Sequence, residues 1–279
     1  MTGPLRRLRE RLASDELLVA PFVYDALQAK IAEATGFEAV YMTGFGTAAA
    51  RGQPDLGLLG LAEMVQNART IAGAVGVPVI CDADTGYGNA LNVMRTVREF
   101  EDAGAAAIHL EDQVWPKRCG FLEGKQVIPA EQMIPKLRAA CDARRDPDFV
   151  IIARTDALQP HGWDEAERRA RAYAEAGADL VFVDGIASTQ ELEEYARRLS
   201  DLPRLYNGSA PVREVADLGF RLMIHIGTLG VAYRALRDAF AELMATGQIK
   251  SASDPAAFTE LLNLLGVEDA LRKGRDYES

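Results

Sequence analysis

Val77-Pro78-Val79-Ile80-Cys81-Asp82-Ala83-Asp84-Thr85-Gly86-Tyr87-Gly88-Asn89 decides how the chain is read. The apolar start predicts a buried strand, and two carboxylates and two glycines gather where that strand should end. Side chains alternate along a strand, so Asp82 and Asp84 are predicted to share one side and Cys81 and Ala83 the other. Two acids on one face at a strand's C-terminal end point to a cation site. Carboxylate oxygens with room for water suit magnesium, and Gly86 and Gly88 let the backbone turn tightly beside a substrate. The alternative is an acidic turn with an incidental pair of aspartates.

The same rhythm extends in both directions. Apolar runs end at Pro21, Thr43, Asp82, Glu111, Thr155, Asp184, Asn207 and Ile226, and helical patterns separate them, such as Asp25 to Thr35, Leu61 to Val75 and Ala90 to Ala103. Eight strands alternating with eight helices predict an α/β chain folded as a (β/α)8 TIM barrel. A doubly wound sheet would require a glycine-rich phosphate fingerprint, and Gly44-Phe45-Gly46 lacks the third glycine. Residues 1–279 read as one barrel domain, with 247–279 as a helical extension that packs outside it, on a partner subunit. Asp112 to Pro129 breaks the rhythm as a long polar connection, and connections of that length are usually functional or disordered.

Composition narrows the function. The formal net charge is −10 and the pI about 5.0, which disfavours nucleic acid and membrane surfaces as partners and requires a metal or local cations for any anionic substrate. Three cysteines form neither a disulfide framework nor a zinc pair. The N-terminal Pro4 to Glu10 reads as a charged amphipathic helix rather than a secretory leader, and no run is apolar over about 18 residues, so the cytoplasm is the predicted compartment.

In a barrel, residues at the C-terminal ends of strands converge. Here they are Thr43, Asp82, Asp84, Glu111, Arg154, Asp184, Asn207 and His225. A divalent cation would offset repulsion among Asp82, Asp84 and Glu111, and Arg154 could take a substrate carboxylate through two parallel hydrogen bonds. This suits an oxygen-rich anion. His109 shares a face with Glu111 one layer deeper, which predicts a hydrogen-bonded core histidine. Cys81 and Cys141 read as packing residues, whereas Cys119 sits between Lys117-Arg118 and Gly120, where cations favour a thiolate.

Asp82 to Asn89, Ile108 to Gln113 and Pro116 to Gly120, with Tyr41 to Gly44, Pro54 to Gly57 and Ala153 to Ala157, resemble the isocitrate lyase and phosphoenolpyruvate mutase superfamily over about residues 17 to 230. The resemblance implies a magnesium-dependent barrel, with manganese a possible substitute, whose eighth helix is swapped in a dimer of dimers. It implies Asp82, Asp84 and Glu111 as metal ligands. Tyr41, Thr43, Gly44, Phe45, Lys117, Gly120, Arg154 and Asn207 would contact a 2-oxo or 2-hydroxy acid, and Asp55 would close the site. A cysteine at position 119 resembles the general acid of the carbon-carbon lyases of the methylisocitrate and dimethylmalate type. Departures are Phe121 where the lyases usually carry His, Asp184 where Glu is usual, and Gly208-Ser209-Ala210-Pro211 after Asn207. The alternatives are an oxaloacetate hydrolase or decarboxylase, a phosphonate-active enzyme at the same metal site, and a barrel retained as a binding subunit.

Overall fold

The computed structural model describes residues 3–120, 122–250 and 254–277. Pro4 opens α1 (Pro4–Ala13), where its missing N–H forfeits no helical hydrogen bond. There follow β1 (Leu18–Val23), α2 (Ala26–Ala34), β2 (Val40–Met42), α3 (Gly44–Ala49), α4 (Leu61–Ala72), β3 (Val79–Asp82), α5 (Ala90–Asp102), β4 (Ala107–Glu111) and α6 (Ala130–Ala143). The chain continues through β5 (Val150–Thr155), α7 (Leu158–His161), α8 (Trp163–Glu175), β6 (Leu180–Val183), α9 (Thr189–Arg198), β7 (Arg204–Gly208), α10 (Val212–Asp217) and β8 (Leu222–His225). Last come α11 (Gly227–Thr246), α12 (Pro255–Leu264) and α13 (Val267–Arg275).

The strands pair in parallel in sequence order, and β1 closes on β8 from Leu18↔Leu222 to Pro21↔His225. The result is the eight-stranded barrel the sequence predicts. A parallel sheet covered on its outer face has no solvated side, which is why β3 to β6 are buried throughout. The interior cluster draws Phe22, Tyr41, Ile80, Ala107, Ile152, Phe182, Leu205 and Ile224 from the eight strands, and Leu8 of α1 belongs to the same cluster. Burying each large apolar side chain contributes about 1.5–3 kcal/mol, so this interior is a packed core rather than a channel. Short α7 and α10 and terminal α13 had no counterpart in the sequence reading.

Residues 1–228 form one compact unit and 229–279 another. The second holds most of α11, with α12 and α13, and Asp254 caps α12 by accepting from Ala256 N. Tyr233, Leu236, Phe240, Phe258 and Leu271 are exposed. Among the described residues, no helix is long and apolar enough to cross a membrane.

Candidate active site

Strand alternation builds the site floor. Ile80, Ile152, Phe182 and Leu205 belong to the interior cluster, and two residues on stand Asp82, Arg154, Asp184 and Asn207, all near the strand ends. Glu111 stands in the same relation to His109. Phe182 lies beneath Arg154, with the guanidinium carbon 5.2 Å from the ring centroid. His109 is wholly buried, edge-on to Phe182 and hydrogen-bonded through Nε2 to Tyr41 Oη at 2.7 Å, so it is the core histidine predicted. Burial lowers its pKa to about 4.

Asp82 ends β3, and alternation stops there. Asp84 does not reach the site by strand alternation: it has φ +47°, in the left-handed region, and its N–H donates to Asp82 Oδ1 at 3.0 Å. Tyr87 has φ +57° and its hydroxyl donates to Asp84 Oδ2 at 3.1 Å. Such a turn persists only where its surroundings over-determine it. Here Glu111 N donates to Asp84 O, Thr96 Oγ1 donates to Gly86 O, and buried Lys136 donates to Thr85 O. Gly44 N donates to Asp82 Oδ2 at 3.2 Å, and a Cβ on Gly44 would stand 2.5 Å from that oxygen. Thr43 caps α3 by accepting from Gly46 N, while Phe45 is exposed.

This acidic lip is short of positive charge. Lys117 Nζ contacts Asp84 Oδ1 at 2.9 Å and Asp55 Oδ1 at 2.5 Å, and Arg154 Nη1 is 3.3 Å from Glu111 Oε2. Both cations are shared with other acids. Both oxygens of Glu111 are buried without a well-formed hydrogen bond among the described residues, and Asp84 Oδ1 meets the Lys117 ammonium that it shares with Asp55. Burial pushes the Asp84 carboxyl up to about 6 and raises that of Glu111 strongly. Burial also opposes the charge on Asp82, but His109, Lys117 and Arg154 overcome it and hold that carboxyl at about 2. Hard oxygen donors with uncompensated charge fit a hard divalent cation. Among the described residues no three His, Cys, Asp or Glu side chains could hold an ion by themselves. Magnesium does not require such a cage, because it keeps several waters and takes one or two carboxylates.

Strands β5 and β6 carry the opposite arrangement. Arg154 donates through Nε and Nη2 to both oxygens of Asp156, each at 2.9 Å, and Nη2 lies 3.1 Å from Asp184 Oδ2. The fork predicted for a substrate carboxylate is therefore engaged within the protein, leaving Nη1 toward Glu111. Lys125 Nζ joins Asp156 and Asp184, and Asn207 Nδ2 donates to Asp184 Oδ1 at 3.3 Å. Arg154 and Lys125 hold the Asp184 carboxyl well below its ordinary range despite its burial. Beneath them Asp112 accepts from Thr155, Arg169, Tyr173 and Asp156 N.

Residues 113–120 and 122–127 form a strap over this floor, pinned at its base by an antiparallel bridge between Gln113 and Val127. Cys119 is 7% exposed, and its N–H donates to Asp55 O at 3.1 Å, which joins the strap to the loop carrying Asp55. Lys117 turns to the carboxylates, and Arg118 donates to Glu123 O. Gly44, Asp55, Gly57, Asp84 and Lys117 help to line a cavity of only about 10 Å³. A larger cavity of about 730 Å³ is lined by Tyr87, Asn89, Trp115, Glu131 and Lys136 but by none of the strand-end acids. Phe121 lies outside the described residues. His225, at the end of β8, accepts from Gly227 N through Nδ1.

Sequence reasoning missed Lys125, Lys136 and Arg169, and assigned no part to Asp112 or Asp156. Asp112 and Asp156 each directly follow a strand, at Glu111 and Thr155, which was the available signal.

The family model for phosphoenolpyruvate phosphomutase matches residues 8–244. The chain is 44% identical to 2,3-dimethylmalate lyase of Eubacterium barkeri, covering 94% of each chain. It is 42% identical to 2-methylisocitrate lyase of Aeropyrum pernix, covering 95% of this chain and 90% of the relative. Among solved structures, phosphonopyruvate hydrolase in complex with oxalate and Mg++ superposes with a TM-score of 0.90 at 31% identity over the whole of both chains.

Proposed function

The chain belongs to the phosphoenolpyruvate mutase/isocitrate lyase superfamily, and from that premise we propose that it is a magnesium-dependent lyase that cleaves a 2-hydroxy di- or tricarboxylate to a 2-oxo acid and a carboxylate. One observation carries the reading: among the described residues, three buried acids, Asp82, Asp84 and Glu111, share only Lys117 and one arm of Arg154 at the strand ends, under a strap bearing Cys119. Asp82, Asp84 and Glu111 would hold the cation. Bound there, magnesium would polarise the 2-oxygen and offset its developing charge.

Cleavage needs the 2-hydroxyl proton removed, the C2–C3 pair left on C3 as an enolate-like carboxylate, and that carbon protonated from one side. Cys119 is placed on the strap to supply the last proton. Arg154 Nη1 and Asn207 address substrate carboxylates, with Lys117 and Gly120 on the strap side. Tyr41, Thr43, Gly44 and Phe45 form the β2 side of the site, and Asp55 holds Lys117 and the Cys119 backbone as the closing residue.

The 2,3-dimethylmalate and 2-methylisocitrate lyases make their named substrates the first to test. The experiment is a panel of these two with oxaloacetate and phosphonopyruvate, with added magnesium and release of the 2-oxo acid as readout. Turnover of oxaloacetate or phosphonopyruvate alone would replace the lyase reading by hydrolase or phosphonate chemistry at the same acids. The exposed apolar side chains of α11 to α13 support a second copy of the chain as their cover, in a helix-swapped dimer of dimers. The cysteine count supports a reducing, cytoplasmic setting.

A further inference from the structure

Lys125 belongs to the strap, yet its side chain is 0% exposed and contacts Asp156 Oδ1 at 2.9 Å and Asp184 Oδ2 at 3.0 Å. Glu123, Gly124 and Gln126 around it are exposed. A lysine is almost never buried whole unless it is paired, and here one side chain turns inward from an exposed run to meet two carboxylates. Those carboxylates also hold Arg154. The strap meets the same group again at Gly120, where a Cβ would stand 2.9 Å from Arg154 Nη2 and closer still to Asp184 Oδ2. Cys119 directly precedes that contact.

We infer that Lys125 is the latch of the strap, a positioning residue that ties the described strap residues, 113–120 and 122–127, to Asp156 and Asp184 and thereby sets Cys119 over the strand ends. Its two ion pairs join the strap to the ends of β5 and β6, whereas Lys117 and Cys119 N join it to Asp84 and the Asp55 loop on the other side, and the Gln113–Val127 bridge and the Gln113–Arg118 hydrogen bonds join it only to itself. Without the ammonium, Asp156 and Asp184 share Arg154 alone, and the strap lacks its buried side-chain tie to β5 and β6. The latch stands on this geometry; the use of Cys119 as proton donor rests on the lyase reading.

The test is thiol labelling with a disulfide reagent, followed residue by residue by mass spectrometry in the full chain. It needs no substrate, so its result is separate from that of the substrate panel. Lys125→Met is expected to speed labelling of Cys119 about tenfold or more, since a broken buried ion pair raises the open fraction of the segment it held. Cys81, wholly buried in β3, is expected to label as slowly as before. Lys125→Arg, which keeps the charge, is expected to return Cys119 to within about threefold of the parent rate. Unchanged labelling of Cys119 in Lys125→Met, or equal acceleration of Cys81, overturns the latch. Should Lys125→Met not fold, Lys125→Arg decides alone, and tenfold faster labelling of Cys119 in that variant overturns it too.

Discussion

The acids at the ends of β3 and β4 and those following β5 and β6 are equally buried but oppositely satisfied. Among the described residues Glu111 has no well-formed hydrogen bond and Asp84 shares the Lys117 ammonium with Asp55, while Asp156 and Asp184 are held by Arg154, Lys125 and Asn207. One side of the barrel mouth is thinly compensated; the other is complete already. Catalytic barrels need both, because a charge-hungry lip positions a ligand only against a partner surface that does not move.

The largest effect expected is at the thinly compensated side. Asp84→Ala should abolish calorimetric magnesium uptake and with it turnover; retained uptake would show that the lip is not a cation site. Cys119→Ala should lower kcat by about 10²–10⁴ with magnesium affinity unchanged. An unchanged kcat removes the cysteine from the chemistry while leaving the lip intact.

At the complete side the effect is on folding. Asp184→Asn should cost about 3–5 kcal/mol in denaturant titration, because two buried cations lose part of their compensation. The Asp184 carboxyl is held below its ordinary 3.8, so its stabilisation is whole above about pH 4 and is lost as pH falls through the folded value. The parent protein should therefore lose stability faster on acidification than the variant. Glu111→Gln, measured in chelator, should cost less than Asp184→Asn, since burial already opposes the charge on Glu111 and only Arg154 Nη1 loses an anionic partner. Equal costs at positions 111 and 184 would erase the contrast. Arg168→Ala, removing an exposed pair with Glu165, should cost under about 1 kcal/mol and serves as the baseline.

Much of this was legible in the sequence for a physical reason. Strands buried on both faces read as unbroken apolar runs, and β3 to β6 were placed within a residue or two. The strand-end acids followed from that register. Asp84 did not: alternation was expected to carry it to the side of Asp82, but β3 ends at Asp82 and Asp84 is a left-handed residue past the point where alternation holds. α7 and α10 are too short to show a helical period. Lys125 was invisible because its meaning depends on two acids 31 and 59 residues further on, and nothing in Glu123-Gly124-Lys125-Gln126 distinguishes a buried ammonium from a solvated one.

The backbone of Gly44 against Asp82 has a practical corollary for anyone reshaping this enzyme. A single methyl group at position 44 would collide with the Asp82 carboxylate before it met any ligand, so libraries aimed at new substrates gain nothing by varying it. Phe45, one residue along and open to solvent, is where diversity can be introduced without disturbing that carboxylate.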